Sequence, residues 1–239
     1  MELLDKEENQ IVFTADIDES LANAIRRYLN QIPIPAIEDV EIFKNDSPLY
    51  DETIAHRLGL IPLKAEETIN EKTPINLKLS SKKEGMVYSG ELTGNIEVVY
   101  KEIPITHLIK GQELEIQATA KLGKGSEHSK FSPGLMFYRE ISEIIMDKSL
   151  KEKVSKICPQ NEIKDKGDKI IILDNKKKEI RDVCEGIADK SGKKAEIKSL
   201  GKLIITLESF GQMDVKEMFK KSIETLKKDL EEVSKKISK

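Results

Sequence analysis

Residues 20–63 read SLANAIRRYLNQIPIPAIEDVEIFKNDSPLYDETIAHRLGLIPL, and the fold is decided in this stretch. Ser20 suits a helix start, because its hydroxyl accepts a hydrogen bond from the free N–H groups of the first turn. Asp16, Asp18 and Glu19 add negative charge at the positive helix end. Leu21, Ile25, Tyr28, Leu29 and Ile32 recur at three- and four-residue steps and so share one face, while Arg26, Arg27 and Asn30 project elsewhere. Pro33 and Pro35 end the helix. Residues 40–43 predict a short strand and Asn45-Asp46-Ser47-Pro48 a turn. Asp51 then reads as the cap of a second, shorter helix that Gly59 and Pro62 close.

Upstream, Ile11, Phe13, Ala15 and Ile17 alternate with Val12, Thr14 and Asp16, the period of a strand with one covered face. Near the other end, residues 203–207 predict a second strand, and Asp214 followed by Glu217 resembles a capping box. Val215, Phe219, Ile223, Leu226, Leu230, Val233 and Ile237 follow as a narrow heptad-like stripe. A helix over 215–237 is about 35 Å long, more than one small lobe needs, so its far end is expected to meet something else. Between the termini, Leu77 and Leu79, Ile96 and Val98, and Leu114, Ile116, Ala118, Ala120 and Leu122 show two-residue alternation and predict a small antiparallel sheet. Residues 123–134, GKGSEHSKFSPG, form a loop. Further on, 169–173 predicts a strand, 178–189 a helix and 195–197 another strand.

The 239 residues suffice for one large domain or two small ones, and two lobes are preferred. A hydrophobic content of 38% fits a chain whose apolar faces are partly completed by a partner. Charged residues make up 35%, yet the net charge is only -3, which argues against a general nucleic-acid grip: counterion release needs a concentrated basic face. Cys158 and Cys184, the two cysteines of the chain, cannot supply a disulfide framework or a four-cysteine metal site. The acidic start, MELLDKEENQ, is unlike a signal peptide, and no run approaches the roughly 20 apolar residues of a membrane span. A soluble cytoplasmic protein is expected.

No catalytic, cofactor-binding or metal-binding residue can be nominated. His56, His107 and His128 sit in separate segments without metal-ligand spacing. GKGSEHSK lacks the Gly-Lys-Ser/Thr ending of a phosphate loop. Lys176-Lys177-Lys178 and Lys227-Lys228 read as solvated faces.

Three strings carry a resemblance: LANAIRRYLNQIP (21–33), AIEDVEIFKNDSPLYDETIAHRLGLIPL (36–63) and LIITLESFGQMDVKEMFKKSIETLKKDLEEV (203–233). Together they are similar to the alpha-like subunit of multi-subunit DNA-directed RNA polymerase, in the archaeal form called the D polypeptide. The resemblance implies an α+β fold with a discontinuous dimerisation domain, 1–45 and 202–239. It further implies an inserted β-rich domain, 46–150 with 197–201, and a ferredoxin-like insertion, 151–196. Many archaeal members hold an iron–sulfur cluster in that insertion. Cys158-Pro159 resembles one edge of its motif and Cys184 falls near another ligand, but such clusters need three or four thiolates, so the lobe is expected without its cluster and the chain without a cofactor.

The implied function is a non-catalytic assembly role: the chain forms a heterodimer with the small alpha-like polypeptide L and serves as a platform for the large catalytic subunits, with further small subunits among its partners. It would meet DNA only through the complex, and the nucleotidyltransferase activity belongs to that complex. Leu21, Ile25, Tyr28, Leu29, Ile32, Phe219, Ile223, Leu226 and Leu230 are the residues implied at the small-partner interface, and Arg26, Arg27, His56 and Arg57 those facing the large catalytic polypeptide. The competing readings are a homodimeric structural protein using the same stripes, and a small redox protein with a ferredoxin-like lobe.

Overall fold

The computed structural model of the chain describes residues 1–65, 74–159 and 161–237. A hairpin of β1 (Glu2–Lys6) and β2 (Gln10–Ala15) leads into α1 (Glu19–Leu29), then β3 (Ile34–Asn45) and α2 (Asp51–Gly59). A β-rich stretch follows: β4 (Ile75–Ser81), β5 (Gly85–Tyr88), β6 (Thr93–Gly94), β7 (Pro104–Leu108) and β8 (Leu114–Gly123). The chain continues through β9 (Gly134–Asp147), α3 (Lys151–Ile157), β10 (Ile163–Lys166), β11 (Lys169–Asp174), α4 (Arg181–Lys190) and β12 (Glu196–Ser209). It closes with α5 (Val215–Ile237). The fold is mixed α+β with strands predominating.

Residues fall into two compact units, 1–24 with 136–207 and 25–135 with 208–239. One six-stranded sheet, in the order β1-β2-β12-β9-β11-β10, runs without a break from the N-terminal hairpin into the lobe between β9 and β12. From β9 to β12 the chain is a β-α-β-β-α-β run, the split-βαβ connectivity of ferredoxin-like folds. Strand periodicity places Ile170 and Ile172 of β11, with Ile144 and Met146 of β9, on the face covered by Val154 of α3 and by Cys184 and Ala188 of α4. Val12, Ile141 and Ile204 form a separate cluster, with Leu4 and Leu173 packed against it. Asp174 at the end of β11 is buried and receives a bidentate pair of hydrogen bonds from Arg139, at 3.0 and 3.1 Å. Burial pushes the Asp174 carboxyl up, and the guanidinium opposes that shift.

The second unit holds a four-stranded sheet, β3-β8-β4-β6, and a separate β5-β7 ribbon. Ile75, Leu77 and Leu79 of β4 and Leu114, Ile116, Ala118 and Ala120 of β8 pack with Ile54 and Leu58 of α2. Loop 123–134 is fastened by Asn30: its carbonyl accepts from the Ser126 N–H at 3.1 Å and its Oδ1 from the Ser132 hydroxyl at 2.8 Å. Gly134 has to be glycine, since a Cβ there would lie 2.1 Å from the Glu208 carbonyl oxygen.

Several local expectations are corrected. Asp18 caps α1, its carboxylate accepting from the Leu21 N–H at 2.7 Å, and Ser20 lies inside the first turn; the carboxylate is the stronger acceptor at a positive helix end. Asp51 is the first residue of α2 rather than its cap, and it accepts from Asn45 Nδ2 at 2.7 Å. Gly59 is not left-handed, and the helix leaves through Leu60 in right-handed geometry. The strand expected at 40–43 extends from Ile34 to Asn45, because β8 supplies partners along that whole length. Pro35 is tolerated there since β3 is the outer strand of its sheet. Ile96 and Val98 are buried but lie outside any strand; Val98 makes an isolated bridge to Leu63. The strands expected at 195–197 and 203–207 are one strand, β12, whose Gly201 absorbs a φ of +67°.

Asp147 gives a test of the first unit. Hydrogen bonds from Lys193, at 2.6 Å, and from the Ser149 N–H, at 2.9 Å, hold its carboxyl down at about 2. A carboxylate whose folded pKa lies below its unfolded value, about 3.9, stabilises the fold above that value and loses the effect as pH falls. The stabilities of the wild type and Asp147→Asn should therefore differ at pH 7 and converge as the pH drops from about 4 to about 2, read by denaturant titration at each pH. A gap independent of pH would refute the assignment.

Candidate functional site

The apolar stripe of α5 is a strict heptad seam. Phe219, Leu226 and Val233 stand at d positions and Ile223, Leu230 and Ile237 at a positions. Its N-terminal end is built into the second unit. Asp214 caps it, accepting from the N–H groups of Lys216 at 2.8 Å and Glu217 at 3.2 Å, and Val215, Met218 and Ser222 are buried. Phe219 and Leu226 are half-buried. Ile223 is 40% exposed, Leu230 60% and Ile237 79%, and Val233 is also open. So the a side of the seam, and all of it beyond Leu226, faces solvent in the isolated chain. Lys220–Glu224 and Lys227–Glu231 pairs at i,i+4 line the helix beside it.

Within the same unit, the Tyr28 hydroxyl donates to Asp229 at 3.0 Å, which ties the end of α1 to the middle of α5. The Asp229 carboxylate pushes the Tyr28 hydroxyl's pKa up, since ionised tyrosine would oppose it. Asp229 occupies a g position, so one flank of the seam is engaged by this chain. The residues singled out by sequence divide clearly. Ile25, Leu29 and Ile32 are buried in the chain itself, and Tyr28 is half-buried. Leu21 is exposed.

Arg26, Arg27 and His56 are exposed on their helices. Arg57 Nη1 donates to the Ile105 carbonyl at 2.9 Å and so links α2 to β7. Asn30, which fastens loop 123–134, is not legible from sequence as a site residue; its only signal is an amide at a helix end. His128 caps a short turn, its Nδ1 accepting from the Lys130 N–H at 3.1 Å. Lys130 itself binds the Ile37 carbonyl, at 3.0 Å, and Glu38, so the second lysine of GKGSEHSK is committed to internal contacts.

In the first unit Cys158 and Cys184 are both free and buried. Burial raises both thiols, Cys184 to about 12. Two thiols do not fit an iron–sulfur cluster, and Asp174, whose charge acts on both, is engaged by Arg139. Among the described residues no group of three or more His, Cys, Asp and Glu side chains is placed to hold a metal ion, and no helix is long and apolar enough to cross a membrane.

Comparison with known proteins places this architecture. Residues 36–136 match the model of the RNA polymerase Rpb3/RpoA insert domain. The DNA-directed RNA polymerase subunit Rpo3 of Pyrobaculum arsenaticum is 33% identical, covering 89% of this chain and 85% of that protein. The chain belongs to the Rpo3 family. The Rpo3 subunit of Methanothermobacter thermautotrophicus is 31% identical over 97% of this chain and 96% of its own length. That of Pyrococcus horikoshii is 36% identical over 66% of each, and the chain spans less than two thirds of the Pyrococcus and Thermococcus members that it matches. The insert-domain match runs from β3 to the first residues of β9. The alpha-like polymerase subunit inferred from the three sequence strings is thus the family shown by comparison.

Burial makes the two halves of the candidate interface separable. Leu29→Ala should lower the unfolding free energy of the isolated chain by about 2–5 kcal/mol, because Leu29 is fully enclosed. Leu230→Ala should change it by less than about 0.5 kcal/mol. Urea titrations of the two variants check this; equal losses would mean that α5 packs on its own chain beyond Leu226.

Proposed function

We propose that this Rpo3-family chain is a non-catalytic assembly subunit of DNA-directed RNA polymerase. It pairs as a heterodimer with the small alpha-like polypeptide L, and the pair forms a platform for the large catalytic subunits. The exposed part of the α5 seam carries the reading. Ile223, Leu230, Val233 and Ile237 lie along one helix at heptad spacing, and burying an aliphatic side chain is worth about 1.5–3 kcal/mol before ordering costs. A facing helix with the same spacing is the occupant that such a seam fits.

The functional dimerisation element is read as 1–45 with 202–239, around an inserted β-rich domain and a ferredoxin-like lobe, 151–196, that carries no cluster. Arg26, Arg27 and His56 are assigned to the side of the large catalytic polypeptide, where arginine's planar fork suits paired acids. Arg57 serves there with whatever donors its bond to Ile105 leaves.

Co-expression with the small alpha-like partner tests the proposal. The wild-type chain should co-purify with it in equal amounts. Ile223→Asp and Leu230→Asp should each fold, since the side chains are exposed, yet lose the partner by burying an unpaired charge. Retained pairing in both variants would remove the seam from the interface. A wild-type chain that sediments as a dimer alone and ignores the small partner would replace the proposal with self-association.

A further inference from the structure

The lobe between β9 and β12 holds the two cysteines, which the proposed pairing surface on α5 does not include. Cys158 ends α3 and Cys184 lies within α4. Both side chains belong to one buried apolar cluster packed with α3 and α4, where each acts on the other's ionisation. They differ in access. Cys184 is wholly enclosed, whereas Cys158 lines an open cavity of about 250 Å³ whose walls include Ile157, Asn161, Lys176, Lys178 and Val183. Lys178 lines the same cavity, and its charge favours the Cys158 thiolate.

We propose that Cys158 and Cys184 are an oxidisable dithiol, which a small hydroperoxide entering this cavity converts to an intrachain disulfide joining α3 to α4. The Cys158 thiolate attacks one peroxide oxygen, the O–O bond breaks, and the departing hydroxide takes up a proton to leave as water. Cys158 is now a sulfenic acid, and the peroxide has been reduced. Cys184 Sγ then attacks Cys158 Sγ, the S–O bond breaks, and the hydroxide released takes the Cys184 thiol proton and departs as a second water. Two thiols and one hydroperoxide give one disulfide, one water and the water or alcohol of the peroxide. Burial keeps most of the Cys158 population protonated at neutral pH, so the reaction is slow and its product is a lasting crosslink rather than a rapid signal.

The test exposes the folded full chain to hydrogen peroxide and follows free thiols and intact mass. The wild type should lose both thiols together with a mass loss of two hydrogens, stay a single chain, and yield a joined Cys158–Cys184 peptide pair on digestion. Cys184→Ser should stop at a Cys158 sulfenic acid that dimedone traps, and Cys158→Ser should keep its Cys184 thiol. Lys178→Gln, on the surface and harmless to the fold, should oxidise several-fold more slowly. Two persisting thiols at a peroxide dose that oxidises the urea-unfolded chain, a disulfide between chains, or a Lys178→Gln rate equal to the wild type would each overturn the proposal.

Discussion

The last helix has more apolar length than its own unit can cover, and most of what is distinctive about this chain follows from that. A 23-residue helix needs only its first two turns to seat Val215, Met218 and Ser222 in the second unit. Beyond Leu226 the heptad seam continues, and among the described residues nothing covers Leu230, Val233 or Ile237. An isolated soluble helix with that pattern would be under pressure to exchange its outward leucines and isoleucines for polar residues. Keeping a/d spacing to the end is the pattern of a helix whose groove a second helix completes, in line with the pairing proposed above. Tyr28 reaching Asp229 fixes the flank on which α1 stands and so sets the side left open.

Legibility from sequence varies with the range of the forces involved. The bounds of α5 can be read directly because local signals agree: a capping aspartate, good helix formers and a regular apolar stripe. The alternation at 114–122 likewise marks β8, whose inward residues are buried. What sequence misses is set by partners far along the chain. Strand β3 is twelve residues long because β8 is there to pair with it, and nothing between Ile34 and Ile37 announces that. Ile96 and Val98 are apolar to fill a core, not to form a ladder. The cap of α1 falls two positions before the one that sequence favours because Asp18 and Ser20 are both good caps, and only the path of the preceding chain chooses between them.

For the candidate site the same distinction applies at finer grain. Periodicity puts Ile25, Leu29 and Ile32 on one stripe with Leu21, and puts Phe219 and Leu226 on one with Ile223 and Leu230. A stripe says which residues leave water, not what they leave it for. Burial divides each stripe into a part that the chain covers and a part that it does not. Asn30 is invisible for a different reason: its work is two hydrogen bonds to a loop about a hundred residues later.

Charge does little to choose the partner here. Lysines and acids nearly cancel, and the surface ion pairs seen, such as Lys44–Glu113 and Lys64–Glu97, are exposed ones that contribute little to stability. A near-neutral surface neither steers a polyanion strongly nor repels a protein, so under the proposed pairing discrimination among partners rests on shape along the apolar seam. The e-position lysines at 220 and 227 are already paired within α5, and Asp229 on the g flank is taken by Tyr28. Under the proposed pairing, the main feature a facing helix meets is the spacing and size of Ile223, Leu230, Val233 and Ile237. A polypeptide recognised in this way is selected by steric fit, and a rearranged order of aliphatic residues on the seam, with hydrophobicity unchanged, should disturb recognition more than the loss of any one surface charge.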